Sequence, residues 1–274
     1  FKQKTAYEIM PSLVGSEMCI RDSKRISTRL TSGKYLETDN TGAEQASTSN
    51  YTWDFMDGWN NQSVGTTWFS WMWKRARGYF DVVCYTGSGS NRTITHNLGV
   101  VPEMMWIKQR SGTNSWRVYH SAMGNTKAMY LDHANAETTD NNFNNTTPTA
   151  SVFSVNAHVG TNQNNHGYVA YLFATLAGVS KVGSVAPTGS ALTVDCGFSN
   201  GARFVLLKRT DSSGEWYVWD SLRGIVAGND PWLAFDNTSS ETTNTDYIDP
   251  HSSGFALTSQ FFGSGSNFIF YAIA

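Results

Sequence analysis

Charge, cysteine and long apolar runs are all scarce in this chain of 274 residues, and each scarcity excludes something. Its 20 Lys and Arg stand against 22 Asp and Glu, a formal net charge of −2, with no basic cluster. Duplex nucleic acid is held by clustered cations that displace condensed counterions, so no nucleic-acid partner is expected. No apolar stretch approaches the ~20 residues that carry a helix across a bilayer, so membrane insertion is not expected either. The 3 cysteines are too few for a disulfide framework. Cys84 and Cys196 read instead as small buried hydrophobes. Also missing is any sustained apolar period of 3.6, and almost no helix is expected.

What is abundant is aromatic or turn-forming: 10 Trp, 12 Tyr, 15 Phe and 24 Gly, among many Ser, Thr and Asn. That is the profile of an all-β chain with frequent turns.

The first 23 residues do not share this profile. "KQKTAYEIMPSLVGSEMCIRDS" has no uninterrupted apolar run of the kind a secretory signal needs, and Pro11 and Gly15 interrupt any helix. Residues 2–9 back-translate into a flow-cell adapter used in short-read DNA sequencing. Residues 12–23 back-translate, in one frame, into a transposase read primer and its mosaic end. Residues 1–23 are therefore read as translated library adapter fused to a natural chain that extended further at its N-terminus. They are expected not to pack, and Cys19 then carries no biology.

Self-similarity is the strongest signal in the rest. "TWFSWMWKRARGYF" from Thr67, "GYVAYLFATLAGVS" from Gly167 and "NFIFYAIA" from Asn267 align, with Trp68, Tyr168 and Phe268 matching, and Trp71, Tyr171 and Tyr271 likewise. Residues 90–124 lie over 190–224 with identities at Ser90/Ser190, Thr93/Thr193, Lys108/Lys208, Trp116/Trp216, Val118/Val218, Ser121/Ser221 and Gly124/Gly224. A third element, "YLETDNTGAE", "YLDHANAE" and "WLAFDNTSSE", occurs at 35, 130 and 232. This organisation predicts the C-terminal half of a truncated module over 24–78 and full modules over 79–178 and 179–274.

Within a module, "FDVVCYTG", "RTITHNLG", "PEMMWIKQR", "WRVYH", "SVFSVNA" and the aromatic segment read as strands separated by Gly, Ser and Asn turns. "PEMMWIKQR" is apolar on both faces and therefore central. In "WRVYH" and "WYVWD" alternation places Trp116, Val118, Trp216 and Val218 on an inward face and Tyr119 and Trp219 on the other. The fold expected is all-β: tandem, jelly-roll-like β-sandwich modules of about seven strands each.

"FDVVCYTGSGSNRTITHNLGVVPEMMWIKQR", then "WRVYH", "YVAYLFA" and the restart at "VSKVGS", resemble a repeat domain of unknown function in tail and virion proteins of marine bacteriophages. The resemblance covers nearly all of residues 24–274. It implies a phage structural or host-attachment role, made in the host cytoplasm and carried in the virion tail, with other tail proteins and a host-surface glycan as partners. It also implies a homo-oligomer, since fibres of this kind are commonly trimers. The family has no assigned catalytic residues to carry over.

The residues themselves offer little chemistry. His96, His120, His133, His158, His166 and His251 show no metal-ligand spacing, and His96 and His120 are replaced by Cys196 and Asp220 in the other full module. No G-x-S-x-G elbow stands in a strand-to-helix context. Asp132 with Glu137, or Asp236 with Glu241, are the only carboxylate pairs that invite a glycosidase reading. Asp39, Asn40 and Glu44 recur loosely as Asp236, Asn237 and Glu241, which admits a calcium loop, but the irregular spacing fits turns capped by Asx hydrogen bonds better. No catalytic, cofactor or metal residue is expected. Tyr119 and Trp219 are the candidate contacts, as outward aromatics that stack on a sugar or pack against a neighbouring module. The function expected is a non-enzymatic tail-fibre or tail-appendage component. A carbohydrate-binding lectin-like module, a bacterial surface adhesin and a depolymerase enzyme are the alternatives.

Overall fold

The computed structural model describes residues 24–31, 33–46 and 70–274. The adapter-like stretch 1–23 and Trp68 lie outside these. Among the described residues the regular secondary structure is almost all strand, with one four-residue α-turn at Val159–Asn162 and one 3-10 turn at Arg29–Thr31. No helix there is long and apolar enough to cross a membrane.

Two large antiparallel sheets dominate. The first runs, in lateral order, Phe80–Thr86, Gly167–Phe173, Met104–Gln109, Arg117–His120, Lys127–Tyr130 and Thr138–Thr139. The second runs Ser180–Val185, Phe268–Ile273, Phe204–Arg209, Trp216–Asp220 and Leu233–Ala234, the same order of chain segments. Arg92–Thr95 pairs with Val152–Val155 as a small sheet beside the first. Leu192–Asp195, Gly254–Leu257 and Ile248–His251 form one beside the second. Each set has eight strands rather than seven, because the short Thr138–Thr139 edge and the Ile248–His251 hairpin arm carry no sequence signal of their own. None of these sheets closes into a barrel.

Period-2 alternation sorts the side chains of the large sheets into three cores. Met104, Trp106, Trp116, Val118, Tyr171 and Phe173 from the first sheet share one core with Phe204, Leu206, Trp216, Val218, Tyr271 and Ile273 from the second. The alternate residues of the first sheet, Met105, Ile107, Tyr119, Tyr168 and Leu172, pack with Ile94, Phe153 and Val155 of its small sheet. Those of the second, Val205, Leu207, Trp219, Phe268 and Phe270, pack with Val194, Phe255 and Leu257. Each large sheet is thus covered on both faces. This is why Met104–Gln109 is buried at every position and reads as a continuous apolar run.

Tyr168 and Phe268 therefore occupy like surroundings in the two outer cores, and Tyr171 and Tyr271 meet in the shared one. The 24–46 segment contributes a three-stranded sheet of Arg25–Ile26, Lys34–Glu37 and Gln45–Ala46, and buries Leu36 in that shared core. Trp71 joins it edge-on to Phe204 and Phe235, with ring centroids 5.8 and 5.5 Å away.

The large sheets differ in how one cross-strand position is filled. Val83 stands opposite Ala170 in the first, and Gly183 opposite Phe270 in the second. A Cβ on Gly183 would lie 2.6 Å from the Phe270 ring, so the bulk has moved from one strand to its neighbour at nearly constant volume.

Candidate functional site

The two residues singled out as outward aromatics are not outward. Tyr119 is 3% exposed and Trp219 0%, each inside an outer core. Alternation correctly separates Trp116 and Val118 from Tyr119, but it marks two faces without saying which is covered. Here both are. Neither ring is a platform open to a ligand.

The other candidates are occupied by local structure. Asp132 Oδ1 accepts from the Trp116 N–H and Asp236 Oδ1 from the Trp216 N–H, both at 3.1 Å. Glu137 pairs with Lys127, and Glu241 with Arg223. Asn40 Oδ1 accepts from the Gly42 N–H and Asn237 Oδ1 from the Ser239 N–H, which are Asx turns. His96, His120 and His158 each accept a backbone N–H two residues onward through Nδ1. Burial pushes the His120 imidazole down to about 4. Among the described residues no cluster of three or more His, Cys, Asp or Glu is placed to hold a metal ion.

The arrangement that does recur is a docking contact built on a buried lysine. Lys108 and Lys208 each lie in a strand otherwise almost wholly apolar, and both are fully buried. An ammonium there must find oxygen, because its desolvation is otherwise too costly. Lys108 Nζ donates to Thr41 O at 3.2 Å and Gln109 O at 2.9 Å. Lys208 Nζ donates to Ala134 O at 2.8 Å and also to Gly214 O.

Backbone contacts repeat around each lysine. The Asn114 N–H meets Thr41 O at 3.0 Å, and the Gly214 N–H meets Ala134 O at 2.9 Å. The Glu44 N–H donates to Arg110 O at 2.8 Å, and the Glu137 N–H to Thr210 O at 2.9 Å. Two indoles complete the pattern: Trp116 Nε1 donates to Glu37 O and Trp216 Nε1 to Tyr130 O, each at 2.8 Å. Thus the 41–44 loop is fastened to 108–116, and the 134–137 loop to 208–216. The first also carries a bidentate Arg110–Glu44 pair at 2.8 and 2.9 Å. The third such loop is held differently, through Lys24 Nζ to Asn237 O at 2.6 Å and Thr38 Oγ1 to Phe235 O at 2.9 Å.

Burial lowers the Lys108 ammonium to about 8, opposed by the nearby Asp132 carboxylate. It lowers Lys208 too, opposed by Asp236 and Glu215, and the same desolvation raises Asp236. The contacts fasten one segment of chain to the next. Sequence comparison of 90–124 with 190–224 contains the lysine among its identities, and a lysine recurring inside an apolar strand is the signal that locates the contact.

A family model described as a domain of unknown function, DUF7483, matches residues 17–274, a span that begins inside the adapter-like stretch. No curated protein matches, and no solved structure matches.

Proposed function

The chain belongs to the DUF7483 family, and on that footing we propose that it is a non-enzymatic bacteriophage virion component, part of a tail fibre or tail appendage. In this reading residues 24–78, 79–178 and 179–274 are successive units of a rigid spacer, with loops available to a host-surface glycan. It assembles with other tail proteins and with further copies of itself, and it is made in the host cytoplasm.

The observation that supports the reading is the lysine-centred docking made once onto 108–116 and again onto 208–216. A contact built from backbone groups, a buried ammonium and an indole fixes the angle between neighbours, which a spacer needs and a flexible linker does not supply. The test is the assembled contig around the reading frame. Capsid, portal or baseplate genes beside it are the expected result. A neighbourhood of bacterial secretion or wall-anchoring genes would overturn it in favour of an adhesin.

A further inference from the structure

A cleft of about 290 Å³ opens beside the second large sheet, between the 200–203 turn, Ser221, Ile225 and the Pro250–Ser252 segment. Its lining contains no carboxylate. The Arg203 guanidinium lines it and has no hydrogen bond or ion pair among the described residues. His251 also lines it; its Nδ1 accepts from the Ser253 N–H at 3.3 Å, which leaves the proton on Nε2. The Ser221 and Ser252 side chains are exposed there, and the half-buried Ile225 supplies an apolar wall.

The residues at this cleft differ between the two sets of strands. At the matching positions the first has Val100 and Val101, 39% and 44% exposed, and Glu103, whose carboxylate accepts the Thr175 N–H. Gly201 makes the difference in shape. Its φ is +80°, and a Cβ there would lie 2.8 Å from His251 O, so only glycine lets the turn approach the Pro250–Ser252 segment. The serine of this face is kept as Ser121 and Ser221, while Glu103 gives way to Arg203, which exchanges a carboxylate for a guanidinium and turns the second face toward an anion. Hydroxyls, an N–H donor and an apolar wall in a space of that size suit one sugar ring.

We infer that this cleft binds a carboxylate-bearing sugar, with Arg203 taking the carboxylate and Ser221, Ser252 and His251 the ring hydroxyls. The inference rests on the host-attachment part of the proposal above and names its ligand class. The test is titration of the full chain with methyl glucuronide, methyl glucoside and acetate, followed by saturation-transfer NMR and calorimetry. Glucuronide is expected to bind saturably, and glucoside and acetate at least tenfold more weakly. Arg203→Met keeps the aliphatic stem and is expected to lose at least tenfold toward glucuronide. Ser252→Trp, which fills the cleft from an exposed position, is expected to abolish binding and serves if Arg203→Met does not fold. Absence of saturable glucuronide binding, equal affinity for glucoside or acetate, or unchanged binding by these variants would each overturn the inference. Such a result leaves the spacer reading standing, whereas bacterial flanking genes would remove the virion reading and leave measured sugar binding intact.

Discussion

Lys208 donates its ammonium proton to the carbonyl oxygen of Ala134, 74 positions earlier in the chain, at 2.8 Å. One buried cation thereby holds the 134–137 loop against the second large sheet. Lys208→Ala removes both the charge and the stem, leaving a cavity and weakening the hydrogen bonding of two carbonyls. A loss of about 2–4 kcal/mol is expected in urea denaturation. The amide of Glu137, bonded to Thr210 O, should also exchange faster with deuterium, and Lys108→Ala should do the same to Glu44. Unchanged exchange at these amides would mean that the lysines do not hold the loops.

Stability should pass through a minimum near neutral to mildly alkaline pH. Burial raises Asp236 from 3.8 to about 7, so across that window this carboxyl keeps a proton in the folded chain that it loses in the unfolded one. Its contribution to stability therefore falls as pH rises, opposed at the acid end by His120, lowered from 6.5 to about 4. Lys108 is lowered from 10.5 to about 8, so between those values the unfolded chain holds more protons and stability rises with pH. Roughly 3 kcal/mol is the upper limit for that alkaline limb from this one lysine. Denaturation midpoints at pH 5, 7.5 and 10 test it, and Lys108→Met should flatten the alkaline side.

The exchanged bulk at Val83–Ala170 and Gly183–Phe270 makes a double-mutant cycle possible. Gly183→Val alone should cost about 1–3 kcal/mol by overpacking, and Phe270→Ala alone about 3–5 kcal/mol by leaving a cavity. Together they restore the valine–alanine pair of the other sheet. The double variant should lose at least 1 kcal/mol less than the sum. Strict additivity would show that the two positions do not share one space.

Trp219 fills the second outer core, stacking with Tyr217 at 5.7 Å and meeting Phe261 edge-on at 6.2 Å. Trp219→Ala should cost about 3–5 kcal/mol, read as a lowered Tm. Trp219→Phe should be far milder, because the indole N–H has no partner in its buried position. If Trp219→Ala melts like the parent chain, the ring is not a core residue.

Composition and alternation alone determined that this chain is all-β, that Met104–Gln109 is a central strand and that Tyr168 matches Phe268. These follow from local rules: a pleated backbone sends alternate side chains to opposite faces, and turns need Gly, Asn and Ser. What alternation does not contain is the identity of the layer that covers each face. Only the tertiary structure decided that Trp116 and Trp216 point into one core shared by both large sheets, and that Tyr119 and Trp219 are buried rather than offered to a ligand. The lysine contacts and the Arg203 cleft were hidden for the same reason. Their partners, Thr41, Ala134 and His251, stand tens of residues away in sequence and are brought within reach only when the sheets pack.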